Sequence, residues 1–314
     1  MKSIKILLAG SIMLATMVAC NDDFMDRYPT TDISDQNFWN STRDMELYCN
    51  GLYTYIKGHG TGHEKSPMLS GDNQSDNMAP QDYDKVAAGE HIVPESSNDN
   101  EWNWTFIRKC NYFLARYERA EINQEEKDAY AVYFFKAWDY FEKVKRYGDV
   151  PWLTKDLTAE SEELFASRNP RVEVVDSVLA CIDWAIDKLP AKQKAVAGRI
   201  NRDIALILKT RICLHEGTFR KYHQIDNSEK FLKEAVETSQ ILMKEGNYRL
   251  YDTGNPESDY RTLFCSLDLK DNPEMIYYKV YEEGLLGNRT SNLLEGGEST
   301  LGFSVTKSLI DAYL

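Results

Sequence analysis

A mainly α-helical chain is predicted, and three observations predict it. Apolar residues recur three or four positions apart in one stretch after another, helix start and stop residues bracket those stretches, and the stretches follow one another in pairs. Paired amphipathic helices of this length suggest an α-solenoid of the tetratricopeptide type, in which each pair needs a neighbour to bury its face. The full tetratricopeptide consensus is absent, so periodicity alone does not assign the repeat.

The first helix is expected over Ser41 to Lys57. Ser41 serves as N-cap, Asp44 stands three residues on, and Leu47, Tyr48, Leu52 and Tyr55 follow at helical spacing. From Gly58 to Asn100 the pattern dissolves into Gly, Asn, Asp, Pro and Ser. A loop region of such length inside a compact protein is usually functional or mobile.

Helical periodicity returns with Trp104, Ile107, Cys110, Asn111, Leu114 and Tyr117, and resumes after a polar break from Glu125 to Tyr147. In that second run Ala131, Phe134, Phe135, Trp138, Phe141 and Val144 form a wide apolar stripe suited to core packing. Gly148 tolerates the positive φ of a helix end, and Pro151 prevents resumption. An extended stretch is expected from Val150 to Leu157.

The next helix runs from about Val172 to Leu189, with Pro190 behind it. Asn201 caps another, carrying Ala205, Leu208, Ile212 and Cys213. Ser228 caps a further one, with Phe231, Leu232, Ala235, Val236, Leu242 and Met243 inward and Gly246 at its end. The tail offers a short strand at Met275 to Tyr281 and a last amphipathic piece at Thr306 to Leu314, which stops without a capping residue.

The N-terminus carries an address. Lys2 and Lys5 precede an apolar run, Ile6 to Val18, of about 13 residues. A membrane-spanning helix takes roughly 20, so residues 1–19 are expected to be a signal peptide. Met17-Val18-Ala19-Cys20 places a small residue directly before a cysteine, the pattern cut in bacterial lipoproteins, so Cys20 is the expected lipidation site. Asn21-Asp22-Asp23 behind it resembles the surface-export signal of Bacteroidetes lipoproteins.

The net charge of −13 and the lack of a Lys/Arg stripe argue against nucleic-acid binding. With Cys20 committed to lipid, five widely spaced cysteines remain, and neither a disulfide framework nor a zinc ribbon is expected. Cys110, Cys181 and Cys213 fit as small core groups. His59 and His63 with Glu64 imitate a metal spacing, but they lie among alternating glycines where no helix aligns them, so no metal and no cofactor is expected. No Gly-x-Ser-x-Gly elbow or His-Glu-x-x-His occurs, and no catalytic residue is assigned.

Six dispersed segments resemble the SusD/RagB family of surface glycan-binding lipoproteins. Cys20-Asn21-Asp22-Asp23-Phe24-Met25-Asp26-Arg27-Tyr28-Pro29, then Phe38-Trp39-Asn40 and Tyr48-Cys49-Asn50-Gly51-Leu52-Tyr53, follow the order of the family's N-terminus. Trp104-Thr105-Phe106-Ile107-Arg108 with Asn111-Tyr112-Phe113-Leu114 is similar to its next helix. The most specific stretch is Lys145-Arg146-Tyr147-Gly148-Asp149-Val150-Pro151-Trp152-Leu153-Thr154. Arg168-Asn169-Pro170-Arg171 and Gly198-Arg199-Ile200-Asn201 introduce the following helices in a similar way.

The resemblance implies a tetratricopeptide-like helical-repeat scaffold with long irregular loops over residues 20–314, and a C-terminal part missing after Leu314. It implies an outer-membrane, surface-exposed, non-enzymatic lipoprotein that binds oligosaccharide or another nutrient. Its implied partner is a SusC-like TonB-dependent transporter, to which it delivers the ligand within a polysaccharide-utilisation system. Arg146, Tyr147, Gly148 and Asp149 are read as a structural chain turn. Sugar contacts in the family come from variable loops, so the expected ligand residues are Asp72, Asn73, Asp76, Tyr83 and Trp102. The alternatives are a surface glycan-active hydrolase and a protein-binding helical-repeat adaptor.

Overall fold

The computed structural model describes residues 38–58, 75–80, 83–93, 102–120, 130–282, 284–287 and 303–314. The expected signal peptide, Cys20, His59 and His63 lie outside the described residues. Eight α-helices are seen in this set: α1 (Thr42–Leu52), α2 (Thr105–Leu114), α3 (Val132–Tyr147), α4 (Arg171–Lys188), α5 (Arg202–Tyr222), α6 (Ser228–Glu245), α7 (Pro256–Cys265) and α8 (Lys307–Tyr313). Consecutive helices pack together, α1 on α2, α2 on α3, α3 on α4, α4 on α5 and α5 on α6, which is the geometry of a helical repeat. A two-stranded antiparallel pair, β1 (Met78–Pro80) with β2 (Phe303–Val305), joins distant parts of the chain.

Capping chemistry sets several boundaries. The Ser41 hydroxyl accepts from the Asp44 amide, and the Asp44 carboxylate accepts from the Ser41 amide at 2.9 Å, a closed capping box. Helix α1 ends earlier than expected, because Tyr53–Tyr55 tighten into a 3₁₀ turn. Its inward residues are Met45, Cys49 and Leu52, while Leu47 faces solvent. The Asn201 side chain accepts from the amides of Asp203 and Ile204, the expected cap of α5. Gly148 ends α3 at φ +71°, where an L side chain is strained.

The apolar face of α3 is the centre of the core. Ala131, Phe134, Phe135, Phe141 and Val144 are buried, and Trp138 is half-buried. Residues 121–129, the start of the run expected from Glu125, lie outside the described set. The extended stretch after Pro151 is fastened to α2 and α3. Asn111 donates to the Leu153 and Lys155 carbonyls at 3.0 and 3.1 Å and accepts from Lys136 at 2.8 Å, while the Leu153 amide donates to the Tyr140 hydroxyl. At the chain turn, the Arg171 amide donates to Asp149 and the Trp152 amide to Asn169. Each of these buried polar groups has a partner, as burial requires.

Helices α3, α4, α5 and α6 meet at a buried ionic cluster. Glu216 accepts from Arg171 at 2.5 Å and from Arg220 at 2.8 Å. The guanidinium of Arg171 lies over Phe219 and that of Arg220 over Phe231. Gly217 lets α6 come close, since a Cβ there would stand 2.8 Å from Leu232.

Three expectations are corrected. Asn227, at φ +68°, is the N-cap of α6 and makes no side-chain cap bond, and Ser228 is already the first helical residue. On the same helix Val236 is 55% and Met243 77% exposed. The buried line runs Phe231, Ala235, Thr238, Leu242, and a residue one position past it is turned by about 100° toward water. Residues Met275 to Tyr281 form no strand. They run irregularly, with Ile276 and Tyr277 packed on the core and Lys279 donating to the Ile56 carbonyl. Side chains that favour strands make one only where a neighbouring edge pairs with them.

Cys49, Cys110, Cys181 and Cys213 are buried free thiols, and Cys265 is exposed. Burial pushes the Cys181 thiol up to about 11 and that of Cys213 to about 12, which keeps both protonated and inert.

Candidate functional site

A cleft of about 800 Å³ opens between the end of α1 and the helices α2 and α3. That is the size of pocket that takes a small ligand. Its apolar wall is aromatic. Tyr55, from the 3₁₀ turn, stacks on Phe106 of α2 at 4.4 Å between ring centres and meets Trp138 of α3 edge-on at 5.2 Å. Three successive elements thus each contribute one ring.

Polar groups surround these rings. Asn103 and Thr105 stand exposed at the start of α2, where the Asn103 side chain accepts from the Thr105 amide at 2.8 Å. On α3 the spacing Asp139, Glu142, Lys143, Arg146 keeps one polar edge toward the opening. Asp139 is buried, and its Oδ2 has no hydrogen-bond partner although Lys143 Nζ lies 3.4 Å away. The Tyr55 hydroxyl donates to the same carboxylate. Burial raises the Asp139 carboxyl above its ordinary range, and Lys143 and Tyr55 only partly offset this. Burial and the nearby Asp139 and Glu142 charges push the Tyr55 phenol up.

The residues expected from sequence are placed as follows. Asp72 and Asn73 lie outside the described residues. Asp76 is exposed beside the strand pair, its backbone carbonyl accepting from the Thr306 hydroxyl. Tyr83 is 68% exposed, and a hydrogen bond with Glu90 raises its phenol. Trp102 meets Trp104 at 5.1 Å and Tyr147 at 4.8 Å, both edge-on, and the Arg168 guanidinium lies 4.7 Å from its ring centre. Trp102 therefore packs behind Tyr147, which lines the cleft. Arg146 and Tyr147, read from sequence as turn residues, are also on the cleft wall. Nothing in the local sequence marks Tyr55, Phe106 or Trp138 as anything but core, because their convergence depends on three separate elements.

Residues 23–214 match the model of a SusD-like family described as starch-binding and associating with the outer membrane. The chain belongs to this SusD-like family. SusD-like protein P38 of Formosa agariphila is 26% identical over 190 residues, covering 59% of this chain and 37% of the relative. A SusD-like protein of Bacteroides fragilis, known from its crystal structure, is 28% identical with a TM-score of 0.63, over 82% of this chain and 48% of that one. A SusD-like carbohydrate-binding protein of the same species is 19% identical with a TM-score of 0.56, over 68% of this chain and 42% of that one. This SusD-like chain spans less than half the length of each of these relatives. The likeness bears out the helical-repeat scaffold.

Proposed function

We propose that this chain is the helical N-terminal part of a surface lipoprotein that binds glycan in the aromatic cleft and releases it unaltered to a SusC-like TonB-dependent transporter. The observation that carries the reading is the convergence of Tyr55, Phe106 and Trp138 beside the exposed polar side chains of Asn103 and Thr105. A sugar offers C–H faces to rings and hydroxyls to polar groups, and this wall answers both. The family's starch-binding description and the carbohydrate binding named for one structural neighbour support the ligand class. Asp72, Asn73, Asp76 and Tyr83 are proposed to reach ligand from the loop, and Trp102 to act through Tyr147 as a positioning ring.

Isothermal titration of the full chain with a panel of neutral and acidic oligosaccharides tests the cleft. Trp138→Leu keeps apolar bulk and loses the flat face, so affinity should fall roughly tenfold, about 1.4 kcal/mol. An unchanged affinity with intact helicity would refute this placement. Binding without turnover is part of the proposal, since Asp139 is engaged by Tyr55 and Lys143, and Glu142 by Lys145 at 2.7 Å. Release of reducing ends that disappears in Asp139→Asn would replace it with the hydrolase reading.

The anchor and the partner have separate tests. Cys20→Ala should move the protein from the membrane fraction to the soluble one without changing glycan affinity. Retention in the membrane would refute lipidation at Cys20. Affinity purification from the native membrane should recover a TonB-dependent transporter, and its repeated absence would count for the adaptor or free-binding alternatives.

A further inference from the structure

The charge on the cleft wall runs against that of the chain. The whole sequence has 50 acidic and 37 basic residues, yet the described lining carries five basic side chains, Lys57, Lys109, Lys143, Lys145 and Arg146, against the two acids Asp139 and Glu142. Both acids are already engaged by lysines of the same helix, Asp139 by Lys143 and Glu142 by Lys145. Lys57 and Lys109 are exposed and have no acidic partner among the described residues. Some lysines elsewhere do find carboxylates, as the exposed Lys155 does with Glu163 and the mostly covered Lys209 with Asp183 and Glu234. Two lysines without an acidic partner among the described residues thus line one opening of a net-acidic chain.

We propose that the ligand of this cleft is an anionic saccharide, a carboxylated or sulfated sugar chain whose acid group is met by Lys57 and Lys109. The inference rests on the cleft being the glycan site. A pyranose ring lies on the Tyr55–Phe106–Trp138 wall, and its hydroxyls meet the exposed side chains of Asn103 and Thr105. The two lysines supply the charge-assisted bonds that a neutral sugar does not call on. The −13 of the whole chain does not cancel them. At physiological salt the screening length is about 8 Å, so remote surface carboxylates count for little beside groups lining the cleft.

Titration of the full chain with three oligosaccharides of matched length, a neutral malto-oligosaccharide, an oligogalacturonide and a sulfated oligosaccharide, tests the proposal. At least one acidic ligand should bind about tenfold or more tightly than the neutral one, and its affinity should fall steeply with added salt. The two acidic arms separate carboxylate from sulfate recognition. In Lys57→Gln/Lys109→Gln that preference should collapse to within about threefold, and Lys57→Arg/Lys109→Arg should restore it. Equal binding of all three, or a neutral preference, overturns the anionic assignment and leaves glycan binding standing. An acidic preference that survives in the double glutamine variant also overturns it. Binding of none of the three overturns this inference and the glycan reading of the cleft together.

Discussion

Replacing Glu216 with alanine is expected to cost about 3–5 kcal/mol, because it strands two buried guanidinium groups without their counter-charge. The Glu216 side chain is 2% exposed, as is that of Arg220, and that of Arg171 is 10% exposed. Removing the carboxylate would delete the 2.5 Å bond from Arg171 and the 2.8 Å bond from Arg220. What remains is one bond from Arg171 to the Val144 carbonyl and one from Arg220 to the Asp226 carbonyl, while Arg171 Nε and Arg220 Nη2 already lack partners. Against a typical total of about 5–15 kcal/mol, the loss is a large share of the stability. At roughly 2–4 °C per kcal/mol for a medium-sized domain, the melting temperature should fall by about 6–20 °C. Urea unfolding followed by tryptophan fluorescence gives the free energy, and a heat scan gives Tm. A triple variant, Arg171→Met/Glu216→Leu/Arg220→Met, removes all the charges and should lose much less than the single change. A Glu216→Ala loss below about 1 kcal/mol, or a triple variant worse than the single, would refute the argument that stranded charge sets the cost.

The remaining expectations are smaller. Asp139 has a carboxyl raised by burial, so the folded chain holds its proton more tightly than the unfolded chain does. Stability is therefore lost as pH rises from the ordinary 3.8 through the raised value, and Asp139→Asn should flatten that part of a pH–stability curve. Gly148→Ala meets nothing within 4 Å but must hold φ +71°, so pure backbone strain should cost about 1–3 kcal/mol in chemical denaturation. Asn201→Ala removes the acceptor for two amides at the start of α5 and should cost about 1 kcal/mol, whereas Asn201→Asp should be nearly neutral.

The order of helices was legible in the residues themselves, because each depends on short-range periodicity and on end signals that act within a few residues. Ser41 with Asp44, Gly148 before Pro151, and Asn201 before its apolar run all do in the structure what their chemistry predicts. Misreadings came where a local signal needed a neighbour to give it meaning. Ser228 looked like a cap until the left-handed Asn227 took that place, and Met275 to Tyr281, rich in side chains that favour strands, has no paired edge among the described residues. The face of α6 was misjudged by one residue because Thr238, a polar side chain, holds a core position that Val236 and Met243 do not.

For this protein, sequence alone determined the helical class, most of the boundaries and the family resemblance. Each of these is written in contiguous residues. The cleft was decided only by the tertiary structure. Its wall takes Tyr55, Phe106 and Trp138 from three elements, and its open charges are Lys57 and Lys109, some fifty positions apart in the chain. No local pattern distinguishes a ring that ends up on such a wall from one sealed in the core, since both obey the same helical period. Packing of α1, α2 and α3 makes that distinction, and it leaves one aromatic edge and one positive edge facing the same space.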